Sequence, residues 1–353
     1  KIDSVNGTAQ TKVNSVYISN QMKLTASDTP KMIGFKVQKR NLDTGDTTLE
    51  GSMTDYTTTF RLIYTGRAGD TDDTYTWYDK DLDGTVDSGE KIHKKDATHS
   101  GVVGTFTTDS TGYFELSGKS LQAGTYQIQE TSAPSGMLKS TAAQLAGQSI
   151  LGNSVINFPA DWTASTDGHV YDLTGKAKAL KNPAARGGVA AYKYDADTLY
   201  PAPQSGSSFN GISFYVRNDN ANPVYLDTDG DGIGNTKLDA GSSVKIGDIT
   251  DAMPYAWTNA TFLPVGNYTL YETLGNNTSY TASVYAQSFT IDTDGKYVLM
   301  AKEEHKEALI QFLNQQLAVQ IQYLGILGRS VTYQTLGPTK IISNRASRHG
   351  LAI

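Results

Sequence analysis

Lys39, Glu130 and Asn182 recur as Lys193, Glu272 and Asn314 in the same order along a 353-residue chain. Together these side chains hold the groups needed for one reaction. A neutral lysine amine is a nucleophile and the carboxamide carbon of asparagine is its electrophile. A protonated glutamic acid can hydrogen-bond the amide carbonyl and relay protons while ammonia leaves. The product is an intramolecular isopeptide bond, formed once by the protein on itself. Burial favours the chemistry because an apolar pocket disfavours charge, raising the pKa of a carboxyl and lowering that of an ammonium. Fixed near-attack contact then replaces a bimolecular encounter. The same trio also fits a buried lysine–glutamate salt bridge with asparagine as a hydrogen-bond partner. The two readings differ by one covalent bond.

An internal repeat brings these residues out of the sequence. Lys39-Arg40-Asn41-Leu42-Asp43-Thr44 is answered by Lys193-Tyr194-Asp195-Ala196-Asp197-Thr198, each after an apolar run. GTYQIQET, ending at Glu130 and Thr131, is answered by GNYTLYET, ending at Glu272 and Thr273. Ala179-Leu180-Lys181-Asn182 is answered by Gln311-Phe312-Leu313-Asn314. Three signals in one order indicate two copies of one domain, over residues 35–184 and 189–316, with a short linker in the PAARGG stretch at 183–188. Alternate residues of a strand share a face, so Tyr126, Ile128 and Glu130 point one way, as do Tyr268, Leu270 and Glu272. By the same parity Val37 accompanies Lys39, Ala191 accompanies Lys193, Leu180 accompanies Asn182, and Ile310 and Phe312 accompany Asn314. Each domain thus aims a lysine, a glutamate and an asparagine inward. Lys36 competes with Lys39, which is preferred because it keeps the offset of Lys193 from the matched Asp-Thr pair.

Short alternating runs broken by Gly, Asp, Asn or Pro predict an all-β chain of antiparallel sandwiches. The 34 Gly and 21 Tyr fit that class. A net charge of −6 argues against a nucleic-acid partner. The absence of cysteine removes disulfides, thiolate metal sites and thiol nucleophiles together. No run of apolar residues is long enough to span a membrane. The polar N-terminus lacks a signal-peptide pattern, so the protein is expected to be cytoplasmic or to have lost its export signal already. Residues 1–34 and 317–353 flank the repeats. In the second flank Leu317, Val319, Ile321 and Tyr323 alternate with polar or small residues as a strand with no evident partner. Residues 303–317 (EEHKEALIQFLNQQL) have helix propensity, but the repeat favours a strand there.

The lysine on a first strand, the Gly-x-Tyr-x-[Ile/Leu]-x-Glu-Thr segment and the late asparagine resemble the Cna B-type domains of Gram-positive surface adhesins and pilins. The resemblance covers about residues 35 to 316. It implies two tandem immunoglobulin-like, prealbumin-like β-sandwiches with extended terminal strands. It also implies Glu130 and Glu272 as the acids of crosslinks Lys39–Asn182 and Lys193–Asn314. The sequence departs from the family in lacking a Leu-Pro-x-Thr-Gly sorting signal, having only Leu336-Gly337-Pro338-Thr339, and in lacking a Tyr-Pro-Lys pilin motif. It implies an extracellular structural protein, a subunit of a pilus-like filament, rather than an enzyme. The flanking strands would then link copies into a homopolymer by strand exchange. The alternative is an adhesin stalk that grips a host or matrix ligand, with its tails folded on their own domain.

A second motif lies ahead of Glu130. Asp79, Asp81, Asp83, Asp87 and Glu90 occupy positions 1, 3, 5, 9 and 12 of an EF-hand-type loop, with Gly84 at position 6 and Thr85 at position 7. Ca²⁺ is the cation such a loop would take, here between strands, and a solvated acidic turn is the other reading. Asp227, Asp229 and Asp231 begin a similar loop that has Leu238 at position 12. His93 and His99, near the first loop, are expected to be solvated rather than metal ligands. No cofactor is expected beyond structural Ca²⁺.

Overall fold

Period-two alternation from Met32 to Asn41 puts Ile33, Phe35, Val37 and Lys39 on one face, and all four are fully buried. This strand, β1, opens the first of two sandwiches in a computed structural model of the chain. The structure describes residues 30–67, 74–85, 87–139, 167–175, 180–281 and 286–317. It also describes the backbone of strands Ile2–Val5, Thr8–Thr11, Ser15–Ile18, Gln21–Leu24, Val155–Phe158, Val319–Gln322 and Ser330–Thr335.

The first sandwich continues with β2 (Thr59–Gly66), β3 (Val102–Thr107), β4 (Tyr113–Gln122), β5 (Gly124–Ser132), β6 (His169–Leu173) and β7 (Leu180–Asn182). One sheet has the order β4-β1-β6, with β7 taking over beside β1 where β6 ends; the other runs Val155–Phe158, β5, β2, β3. Both β6 and β7 are parallel to β1, with Leu173 opposite Val37 and Leu180 opposite Lys39. Phe35, Phe60, Leu62, Tyr64, Tyr126 and Ile128 fill the space between the sheets.

The second sandwich repeats this plan. Its strands are β8 (Arg186–Tyr192), β9 (Ser213–Asn218), β10 (Ser243–Asp248), β11 (Tyr255–Trp257), β12 (Gly266–Thr273), β13 (Ala286–Ile291) and β14 (Lys296–Met300). One sheet runs β10-β9-β12-β13, and in the other β8 lies between β11 and a parallel β14. The first and last strands of each domain are therefore parallel neighbours, and the glutamate-bearing strand lies in the opposite sheet. Strand β8 begins within the expected linker. A Cβ at Gly187 would lie 2.1 Å from the Lys296 carbonyl oxygen, and one at Gly188 would lie 2.4 Å from the Tyr297 ring. These glycines allow close strand approach rather than a flexible joint.

Two expectations are corrected. Residues 303–317 form a helix, α1 (Glu303–Leu317), not the end of a last strand. Lys306, Leu309 and Leu313 make a buried stripe at helical spacing, and Glu303 and Glu304 sit at the favourable, positive end of the helix dipole. Leu309 and Leu313 pack with Ala190, Tyr297 and Leu299, whereas Val189, Ala191 and Val298 belong to the sandwich core. The helix thus covers the outer face of the sheet. The second correction concerns the tail. Strand β15 (Val319–Gln322) pairs with β16 (Ser330–Thr335), which pairs antiparallel with β14, so the expected unpartnered strand extends the second domain's own sheet. At the N-terminus, Ile2–Val5 pairs with Thr8–Thr11 and Ser15–Ile18 with Gln21–Leu24. Among the described residues no helix is long and apolar enough to cross a membrane.

Candidate functional site

Three strands converge on one buried carboxylate in the first domain. Lys39 comes from β1, Glu130 from β5 across the sandwich, and Asn182 from the end of β7 beside β1. Lys39 Nζ lies 3.1 Å from Glu130 Oε1, and Asn182 Nδ2 donates to Glu130 Oε2 at 2.7 Å. Lys39 and Asn182 are fully buried and Glu130 is 7% exposed. All three expected residues are together. Lys36 instead turns outward and pairs with Asp172 at 3.1 Å, away from the trio.

Burial pushes the Lys39 ammonium down to about 8, and the charge and hydrogen bond of Glu130 only partly oppose that. A neutral amine is correspondingly easier to reach near neutral pH. Asn182 Oδ1 is buried with no hydrogen-bond partner. A half-turn of the carboxamide, which keeps its shape, would aim that oxygen at Glu130, where a protonated carboxyl could donate to it. This is the arrangement that polarises the amide for attack by the neighbouring amine. Thr58 was not found from sequence. Its hydroxyl donates to Glu130 Oε1 at 2.9 Å, and its position depends on the β2–β5 register rather than on any local motif.

Among the described residues the second domain reproduces two of the three members of this trio. Lys193 Nζ lies 3.0 Å from Glu272 Oε2, with side-chain exposures of 12% and 9%. The amine also lies over the rings of Tyr280 and Phe209, at 5.5 and 5.7 Å. Phe214 stands opposite Glu272 as Phe60 stands opposite Glu130, so Ile212 occupies the place of Thr58 and cannot donate. Asn314 lies on α1, and its side chain is outside the described residues. Its neighbour Leu313 packs on the outer sheet face, whereas Lys193 follows the parity of Val189 and Ala191, which face the core.

The acidic loops are built alike. The 79–90 loop lies between paired strands Tyr75–Trp77 and Lys91–His93, and the 227–235 loop lies between paired strands Val224–Leu226 and Thr236–Leu238. In each, three aspartate carboxylates come within 4.8 Å of one another: Asp79, Asp81 and Asp83, and Asp227, Asp229 and Asp231. Asp79 accepts the N–H groups of Leu82 and Gly84 at 2.6 and 3.0 Å, and Gly84 takes the positive φ of 81° that the turn needs. Thr85 donates to Asp83, and Glu90 reaches back to accept the N–H groups of Lys80 and Asp87 at 2.7 and 3.0 Å. The oxygens of positions 1 and 12 thus close the loop. In the second loop Leu238 is buried in the core, and Asp227 accepts Thr261 Oγ1 instead. His93 and His99 stack at 4.0 Å, and His99 bonds to Asp96.

One further charged cluster joins the domains. Buried Arg186 reaches Asp43 Oδ2 at 2.5 Å and Glu50 Oε1 at 3.8 Å, and donates to the Tyr225 carbonyl at 2.8 Å. Asp43 also accepts the Gly234 N–H, and Glu50 accepts Tyr225 N–H and Asn41 Nδ2. Residues far apart in sequence make this cluster, and no local pattern announces it.

No curated protein sequence matches the chain. Among solved structures it is similar to the Bacillus anthracis TIE protein, at 16% identity over 76% of this chain and 33% of that one, with a TM-score of 0.37. It is similar to the pilus adhesin SpaC from Lactobacillus rhamnosus GG, at 13% identity over 86% and 30%, with a TM-score of 0.32. For the major pilin of Streptococcus pyogenes the values are 11% identity, 77% and 96%, with a TM-score of 0.26. The chain spans about a third of the length of the first two. Residues 74–146 match the family described as SpaA: Prealbumin-like fold domain. The chain carries the prealbumin-like β-sandwich fold that its resemblance to the Cna B-type domains implied.

Proposed function

We propose that this chain is a load-bearing structural subunit of an extracellular Gram-positive surface filament, with its first domain locked by a self-formed Lys39–Asn182 isopeptide bond. The buried Lys39–Glu130–Asn182 trio carries this reading. An amine, an acid and an amide share one water-poor pocket, and the acid touches both reactants. Lysine Nζ attacks the carboxamide carbon, the new C–N bond replaces the bond to the amide nitrogen, and Glu130 returns the lysine proton to the leaving ammonia.

The topology gives the bond a mechanical role. Lys39 lies on the first strand, and Asn182 ends the last strand, next to the buried Pro183–Ala184–Ala185 link to β8. Tension entering β1 passes through the crosslink to the second domain and bypasses the intervening ladder. Pulling single chains from both ends should show no extension from residues 39–182. Glu130→Ala should add about 500 Å of contour length, at about 3.5 Å for each of the 143 residue steps from 39 to 182. Equal lengths for both proteins would contradict a covalent load path.

The adhesin-stalk reading is favoured by one observation: β15 and β16 fold back on the second domain's sheet, so the strand expected for exchange is already paired. Gel filtration separates the two, with filament or oligomer formation expected for a subunit and a monomer for a stalk.

The 79–90 loop serves as a structural Ca²⁺ site under this proposal. The oxygens of Asp79, Asp81, Asp83, Thr85, Asp87 and Glu90 are hard donors suited to that ion, and would gather it between two strands. The 227–231 carboxylates lack an acid at position 12 and would bind more weakly. Saturating Ca²⁺ should raise the melting temperature of the intact chain, by about 2.7 kcal/mol of added stability at a hundred times Kd. The rise should vanish in Glu90→Gln. An unchanged melting temperature in the wild-type chain would sink the calcium assignment.

A further inference from the structure

The second domain holds amine and acid at the spacing of the first, yet the described chain leaves the third place open. Continuing the parallel β8–β14 register, in which Ala191 faces Met300, sets Lys193 opposite Lys302 and Asp195 opposite Glu304. In the first domain the equivalent lane beside β1 is filled by β7, with Leu180 opposite Lys39 and Asn182 opposite Asn41. In the second domain the chain leaves that lane after Met300 and turns into α1. A cavity of about 620 Å³ opens there, its wall including Lys193, Glu272, Tyr194, Leu199, Leu270 and Tyr280. What covers the same edge in the sister domain is the short parallel strand Leu180–Asn182, an apolar residue, a polar one and asparagine.

One segment outside the described residues repeats the sequence that runs into and through that strand. Lys178-Ala179-Leu180-Lys181-Asn182 and Lys340-Ile341-Ile342-Ser343-Asn344 share a lysine, two apolar residues, one polar residue and an asparagine. We propose that the open lane of the second domain receives residues 340–344 of a second copy of this chain, and that Lys193 forms an isopeptide bond with Asn344. This rests on the crosslinking chemistry proposed for the first domain. The lysine nitrogen bonds to the carboxamide carbon, the amide nitrogen leaves as ammonia with a lysine proton, and Glu272 relays that proton.

Chain length selects a second copy over the same molecule. Strand β16 runs antiparallel to β14 with Thr332 opposite Lys296, so Thr335 lies three residues further from Lys193. Asn344 seated as Asn182 is seated would be level with position 304. The separation is three steps plus the eight from 296 to 304, about 36 Å at 3.3 Å per step. Only nine steps join Thr335 to Asn344, and they span at most about 32 Å. A neighbouring molecule has no such tether.

The test uses the full-length chain carrying Asn344→Ala, mixed with a synthetic peptide of residues 338–347. The expected result is an adduct stable in denaturant, with the summed mass less one ammonia and the link mapped to Lys193. Lys193→Arg or Glu272→Gln in the chain, or Asn344→Ala in the peptide, should abolish it. Without peptide, the wild-type chain should form covalent multimers that Asn344→Ala lacks and Asn314→Ala retains. Ammonia loss from the first domain without any adduct overturns the assignment of the lane alone. Absence of both overturns the shared chemistry as well. A second ammonia lost within one chain and restored by Asn314→Ala would assign Lys193 to its own helix residue and refute the proposal.

Discussion

Glu130→Ala should leave the first domain uncrosslinked, raising the chain mass by one ammonia and lowering its resistance to denaturant. The closed loop spans 143 residue steps from Lys39 to Asn182. Releasing a loop of that length costs about 5 kcal/mol on the chain-entropy model. The substitution also strands the Lys39 amine in a pocket where it has no exposure, a further penalty because a buried charge has lost its partner. Stability alone cannot separate a crosslink from a salt bridge, since breaking a buried ion pair costs about 3–5 kcal/mol. Mass can. Denaturation curves should therefore be read beside intact mass for wild type, Glu130→Ala and Glu130→Gln. A variant that is destabilised without any change in mass would identify the trio as an ion pair only.

Arg186→Met should have the second large effect, on the joint between the domains. The guanidinium is the cation shared by Asp43 and Glu50, and all three side chains are at most 1% exposed. Removing it leaves two carboxylates facing each other without water, a loss of about 3–5 kcal/mol for a broken buried pair. Burial and the charge of Asp43 push the Glu50 carboxyl up to about 8, with Arg186 opposing them. A carboxyl raised above its unfolded value contributes stability fully present at low pH and lost as pH rises through the folded value. The joint should accordingly weaken between about pH 4.5 and 8, and more steeply in Arg186→Met. Calorimetry should resolve one coupled transition into two in the variant, with new proteolysis at 183–185. A single transition at an unchanged temperature in Arg186→Met would show that the cluster does not couple the domains.

The first domain's trio was readable because two independent signals agreed: a repeat fixed which residues correspond, and strand parity fixed which way they point. Lys36 competed with Lys39, and the offset from the matched Asp-Thr pair pointed to the lysine that lies in the buried trio, whereas Lys36 pairs with Asp172 near the surface. The same repeat misled on the secondary structure around Asn314. Gln311-Phe312-Leu313-Asn314 echoes the strand ending at Asn182, but Lys306, Leu309 and Leu313 are buried together at helical spacing. That periodicity, with Glu303 and Glu304 at the first turn, outweighs a four-residue echo. Thr58 and the Arg186–Asp43–Glu50 cluster were hidden for another reason. Their contacts arise from strand register and domain docking, which bring together positions 72 to 143 residues apart.

The most direct test of the central claim is the intact mass of the purified monomeric chain in denaturant, followed by mapping of its proteolytic fragments. The account predicts a mass one ammonia below that of the sequence for the first domain, with a branched fragment joining Lys39 to Asn182. The full sequence mass, with free Lys39 and unmodified Asn182 in separate fragments, would contradict it.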